Sequence, residues 1–222
     1  MTNVLCVAAH EDDEALGCGG TLAKHALAGD NVYVVYMADG VTSRQSSDSS
    51  QEQRRAAAIK ACRTLGVTPM WVSPLFPDNA MDTGPRLDIV KRLERGVFPP
   101  PEIVYTHHGG DLNIDHRRTH EAVMTAFRPK PGSSVKAIYC FEVRSSTECA
   151  PSSLPVFRPQ RTVDITGVPA ERKIEALNAY RLEMQAWPGS RSMMAVRAQM
   201  QLRGSDMGLD AAEAFMVERS IA

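Results

Sequence analysis

The chain has 222 residues, 25 basic and 26 acidic, for a formal net charge of −1. That length suits one domain with a substantial core, and the charge balance gives no reason to expect a nucleic-acid or anionic-membrane partner. Five cysteines with no C-x-x-C pair read as reduced thiols of a cytoplasmic protein, and the short apolar start is neither a signal sequence nor a membrane span.

In chain order, "NVLCVAA" (3–9) is a short apolar run that fits a strand buried on both faces. Helical spacing of Leu16, Leu22, Ala23, Ala26 and Leu27, with Gly29 beyond them, predicts a helix over 15–28. "NVYVVYMA" (31–38) is the second strand, completing a βαβ unit. The alternation continues with a helix near 51–65, a strand "MWVSPL", a helix near 85–96, a strand "EIVYTHH", a helix near 116–127 and a strand "KAIYCFEV". After a Pro/Ser-rich connector (151–160) come a strand "RTVDIT", helices near 169–186 and 191–203, and a last extended piece "AEAFMVERS". The expectation is a single α/β domain over 1–222, with a mostly parallel sheet and helices on both faces.

Ligands of such sheets bind beyond the carboxyl ends of the strands. The segments there are unusually rich in histidine and acid: HEDDE (10–14), PDNAMD (77–82) and HHGGDLNIDH (107–116). His10 and Asp13, spaced H-x-x-D in a tight turn, can aim two donors at one point, and a third donor with an open position would make a catalytic zinc site. His107, His108 and His116 are the candidates for the third. His116, preceded by Asp115 and opening a helix, is the favoured one. His116 and His120 also share a helix face, but the Glu that the metalloprotease helix carries beside its first His is absent. A divalent cation would account for the crowd of carboxyls after strand one, which otherwise repel one another. Asp12, pointing away from Asp13, can then face the bound water as a base.

"AHEDDEALGCGG" (9–20) together with "DLNIDHRRTHEAV" (111–123) resembles the two hallmark motifs of the PIG-L/LmbE-like zinc-dependent N-deacetylases, a likeness that extends to "DITGVPAERKIEALNAY" and "AEAFMVER". The resemblance implies a Rossmann-like fold and a Zn2+ cofactor held by His10, Asp13 and His116. It further implies Asp12 as general base, an N-acetylated amino sugar or its conjugate as substrate, and a homo-oligomer, trimeric or hexameric.

Two positions depart from the family pattern. Glu11 stands where proline is usual, which frees the turn from a φ restraint, and it is expected to point to solvent. Asn113 stands where relatives carry a histidine. It can donate a hydrogen bond to an oxyanion but cannot shuttle a proton, which leaves that task to Asp12 acting twice, His107 or His108. Asp115 is expected to orient an imidazole, and Glu14 to support the site from behind.

Arg44, Asp78, Asn79, His108 and Arg144 are the expected substrate contacts, with Ala80 replacing an arginine of some relatives. For Glu142 and Ser145, structural capping explains the residue as well as substrate contact does. Gly17, Gly19 and Gly20 fail as a dinucleotide loop because acids precede them and the G-x-G-x-x-G is incomplete; close packing of the first helix is the better reading. Cys18 is read as a packing residue there, and the Met-rich C-terminal region as a contact surface. The functional alternatives are a catalytically weak metal- or carbohydrate-binding member, and a hydrolase acting on a different acyl group or a non-sugar amide.

Overall fold

The computed structural model describes residues 1–43 and 50–221. Five parallel strands, β1 (Asn3–Ala8), β2 (Asn31–Ala38), β3 (Thr68–Phe76), β4 (Ile103–His107) and β5 (Ala137–Phe141), form most of one sheet. β6 (Arg161–Asp164) and β7 (Ala212–Ser220) complete it, with β7 antiparallel to both neighbours, in the order β3-β2-β1-β4-β5-β7-β6. The chain therefore winds outward from β1 through β2 and β3, then returns to the other side of β1 to lay down β4. This reversal opens a crevice at the carboxyl ends of β1 and β4. The strand "NVLCVA" and its neighbour "IVYTH" end in it.

Helices α1 (Asp13–Leu27), α2 (Gln51–Leu65), α5 (Val168–Ala179) and α6 (Met193–Ser205) cover one face. α3 (Arg86–Glu94) and α4 (Ile114–Ala126) cover the other. The alternation of side chains along β1 divides the core accordingly: Val4, Cys6 and Ala8 face the first layer, Leu5 and Val7 the second. The expected helices and strands are present, and α2 starts and stops where the spacing places it.

One boundary differs. The helical pattern after 169 continues to 186, yet α5 ends at Ala179. Tyr180 is turned inward, where its hydroxyl donates to Glu14 Oε1 at 2.7 Å, and Glu183 folds back so that its N–H meets the Tyr180 carbonyl. These tertiary contacts outweigh the local helix preference of the following residues.

The glycines of α1 set how closely the helix lies on the sheet. A Cβ at Gly17 would stand 2.2 Å from Phe141 Cδ2, and one at Gly20 2.7 Å from Ile165 Cδ1. Phe141 is fully buried, so it cannot swing away. Gly17→Ala is accordingly expected to cost about 1–3 kcal/mol by overpacking, measured as a lowered urea midpoint. An unchanged midpoint would remove the packing explanation for this glycine.

Candidate metal and catalytic centre

The turn after β1 carries His10 and leads into α1 at Asp13, while β4 leads through residues 108–113 into α4 at Ile114. Two helix N-termini, with their partial positive charge, thus point into the same crevice and favour the carboxylates gathered there.

The His10 and His116 rings lie with centroids 5.6 Å apart on either side of the Asp13 carboxylate. Asp13 Oδ2 is 3.3 Å from His10 Nδ1 and 3.3 Å from His116 Nε2, and it also accepts the His10 backbone N–H at 2.8 Å. His10, Asp13 and His116 form a group whose donor atoms lie within 4.8 Å of one another, all buried.

The far nitrogen of each imidazole meets a carboxylate. His10 Nε2 is 3.0 Å from Asp78 Oδ1 and 3.2 Å from Asp115 Oδ2; His116 Nδ1 is 3.0 Å from Asp111 Oδ1. Asp115 is itself fixed by the backbone N–H groups of Asn79 and Met81, at 2.7 and 3.0 Å. Asp111 accepts from Ser146, Thr147 and the Asn113 backbone. A carboxylate on the outer nitrogen is the arrangement that fixes ring orientation and raises ligand basicity in metal sites.

The donor set fits zinc. Two imidazoles and one carboxylate are borderline ligands suited to a tetrahedral ion with one open position. Asp13 Oδ1 is buried with no hydrogen-bond partner, and neither His116 nitrogen makes a well-aligned hydrogen bond despite its close carboxylates. Burial works against a charged His116, but Asp13 and Asp111 outweigh it and raise its pKa to about 9. Burial likewise disfavours charge on His10, and Asp115, Asp13 and Asp78 overcome it. Burial disfavours the Asp13 carboxylate as well; the surrounding imidazoles prevail and hold it well below the usual range. In the absence of a cation, protons on these rings balance the acids; a bound cation would replace them.

Asp12, the residue before α1, has φ 119° and ψ −26°, a strained left-handed conformation for a non-glycine. Its carboxylate makes no helix cap. Instead Asp12 Oδ2 accepts from Arg191 Nη1 at 2.9 Å, and Arg191 Nε donates to Ser145 Oγ at 2.6 Å. Burial pushes the Asp12 carboxyl above its ordinary value, with Arg191 pulling the other way. Glu14 braces the turn from behind, accepting the Asp12 backbone N–H at 3.2 Å and the Tyr180 hydroxyl, and burial raises its carboxyl to about 8.

An open cleft of about 330 Å³ adjoins the centre, lined by Asn79, Leu112, Asn113, Ile114, Ser145, Ser146 and Arg191. Asn113 is the N-cap of α4: its Oδ1 accepts from the Asp115 N–H at 2.8 Å, which leaves the donor half of the amide uncommitted to the cap.

The structure brings together His10, Asp12, Asp13, Asn113, Asp115 and His116, with Asp78 and Asn79 beside them. Asp78 touches the His10 ring, closer to the donor cluster than a substrate contact needs to be. His108 turns aside: its Nε2 donates to the Pro155 carbonyl at 2.8 Å and its ring packs edge-on to Phe157. His107 is buried and stacks on His116 at 3.9 Å, its Nε2 accepting the Ala9 N–H; burial and the neighbouring His116 hold it neutral. Arg144 donates to the Ser190 carbonyl at 3.3 Å, holding the loop before Arg191. Arg44 lies outside the described residues.

Glu11 is a correction. The sequence suggests a solvent-facing acid, but Glu11 is fully buried. Its carboxylate accepts from Trp71 Nε1 at 3.0 Å and from Arg54 Nε at 3.4 Å, and Arg54 Nη2 donates to its backbone carbonyl at 2.6 Å. Arg54 also reaches Glu183 at 2.7 Å.

Arg191, Asp111 and Arg54 are not among the residues that the sequence pattern nominates. Asp111 stands five before His116 inside the second motif and was legible there. Arg191 and Arg54 sit in an ordinary loop and helix, and only the fold brings them to the turn after β1.

Fold and site together define an α/β protein with a His/Asp/His donor cluster at the switch point of its sheet. Residues 5–127 match the PIG-L family model, described as GlcNAc-PI de-N-acetylase, and the chain belongs to that family. It is 32% identical over 139 residues to the protein named uncharacterized deacetylase YaiS of Escherichia coli, covering 58% of this chain and 69% of that one. It is 26% identical over 243 residues to a 1D-myo-inositol 2-acetamido-2-deoxy-alpha-D-glucopyranoside deacetylase of Saccharopolyspora erythraea, covering 83% and 78%. Among solved structures, the N,N'-diacetylchitobiose deacetylase of Pyrococcus horikoshii superposes with TM-score 0.75 at 23% identity, covering 98% of this chain and 84% of that one. GalB of Pseudomonas putida, a 4-carboxy-2-hydroxymuconate hydratase, superposes with TM-score 0.69 at 22% identity, covering 100% and 98%. These two structures share the fold, and their different reactions mean that the fold does not choose the chemistry.

Proposed function

We propose that this chain is a zinc-dependent hydrolase that removes an N-acetyl group from an amino-sugar-containing small molecule. The observation that carries this reading is the buried His10, Asp13 and His116 donor group with Asp12 turned toward Arg191 at the edge of a polar cleft. The amino-sugar substrate is supported by the names of the family and of its sugar-deacetylating relatives.

Zinc held by His10, Asp13 and His116 would supply Lewis acidity, polarising the acyl carbonyl and lowering the pKa of the attacking water. Asp12 accepts the proton of that water as its oxygen bonds to the acyl carbon. The C–N bond then breaks, and Asp12 returns the proton to the departing nitrogen, so that amide and water become acetate and amine. Asp12 serves both steps because His107 accepts a backbone hydrogen bond behind the site and His108 is committed to Pro155. Arg191 holds the carboxylate against rotation, and Asn113 donates its amide N–H to the oxygen that gains charge. Asn79, Ser145 and Ser146 line a cleft whose hydroxyl and amide groups suit a polyol.

Among the described residues no helix is long and apolar enough to cross a membrane, and the five cysteines are unpaired. We place the reaction in the cytoplasm, in a homo-oligomer. Treatment with a chelator is expected to abolish acetate release from an N-acetylated amino sugar, and stoichiometric Zn2+ to restore it. Activity that survives complete metal removal would refute the zinc assignment.

A further inference from the structure

A second cluster of metal-binding side chains lies outside the catalytic centre. His120 on α4, Cys140 on β5 and Glu218 on β7 bring one nitrogen, one sulfur and one oxygen within 4.8 Å of one another. Cys140 Sγ is 3.5 Å from His120 Nδ1 and 3.9 Å from Glu218 Oε1. In a tetrahedral zinc site with Zn–S about 2.3 Å and Zn–N about 2.0 Å, the edge between sulfur and nitrogen is about 3.5 Å. The first distance matches that edge, and the second is longer on the side where an exposed glutamate can close in.

The position of the histidine ring depends on Gly109, where a Cβ would stand 2.9 Å from His120 Nε2 and Cδ2. His120 Nδ1 also donates to the His107 carbonyl at 3.0 Å, so a cation at Nδ1 requires the ring proton to move to Nε2, while the thiol proton is released to solvent.

We propose that His120, Cys140 and Glu218 form a second divalent-cation site, with the borderline-soft preference of a mixed N, S and O donor set, for Zn2+, Co2+ or Cd2+ rather than Mg2+ or Ca2+. Burial pushes the Cys140 thiol well above its ordinary value, and Glu218 adds to that. Metal binding here therefore strengthens as pH rises. The site shares no residue with the His10, Asp13 and His116 group, and the proposal does not rest on the deacetylase reading.

The test is titration of the purified full chain with Co2+. The catalytic donor group contains no sulfur, so a near-ultraviolet thiolate-to-cobalt charge-transfer band reports on a cysteine site alone. The band is expected in the wild type and in Cys149→Ser, and is expected to vanish in Cys140→Ser. Glu218→Gln, on an exposed strand end, is expected to keep the fold and weaken cobalt binding by about tenfold or more. No charge-transfer band in the wild type, a band unchanged by Cys140→Ser, or unaltered affinity in Glu218→Gln would each overturn the proposal.

Discussion

Asp12→Asn is expected to lower kcat by about 10²–10⁴-fold, with zinc content and KM near those of the parent. Asparagine is close to isosteric and can still accept from Arg191 Nη1, so the turn and the donor group are retained while the proposed base is lost. The carboxylate sits next to Asp13, a proposed metal ligand, but points elsewhere, because the left-handed backbone at Asp12 swings it toward Arg191. Parallel measurement of kcat and of bound zinc separates the two roles. A near-normal kcat would remove Asp12 as the base. A lost kcat with lost zinc would move Asp12 into the metal-holding set.

The second large effect concerns stability. Arg54→Ala is expected to lower the free energy of unfolding by about 3–5 kcal/mol, because it leaves the buried Glu11 carboxylate without its cation. Arg54 is 3% exposed and spans from α2 to the turn after β1, so water cannot replace it readily. Adding Glu11→Gln to the variant neutralises one of the two acids that lose Arg54, Glu183 being the other, while leaving an acceptor for Trp71, and is expected to recover part of the loss. Urea denaturation of both variants reads this directly. A loss below about 0.5 kcal/mol for Arg54→Ala would mean that the ion pair is not structural. The turn is tied down from outside through Arg54 and Trp71.

Much of the candidate site can be nominated from local spacing. His10 and Asp13 sit three apart after an apolar strand, and His116 follows an acid at a helix start, so short-range pattern suffices to nominate them. The mostly parallel sheet with helices on both faces was likewise legible, because strands alternating with helices admit few arrangements, whereas the strand order comes from the structure. Glu11 could not be oriented, since a tight turn has no periodicity from which to infer a facing. Its partners Arg54 and Trp71 lie 43 and 60 residues away. Arg191 is farther still, 179 residues from Asp12, in a loop where an arginine is ordinarily solvated. The early end of α5 at Ala179 has the same origin, because Tyr180 is drawn to Glu14 across 166 residues. In each case a buried polar contact formed by the fold determines the side chain's role, and local sequence carries no trace of it.

The most direct test follows acetate and free amine together, in zinc-loaded protein offered a panel of N-acetylated amino sugars and their conjugates. Equal amounts of acetate and amine, released from at least one substrate and absent with Asp12→Asn, are the expected result. Zinc-loaded protein that releases neither from any amino sugar, yet hydrates an unsaturated carboxylate substrate as GalB's name describes, would contradict the deacetylase reading.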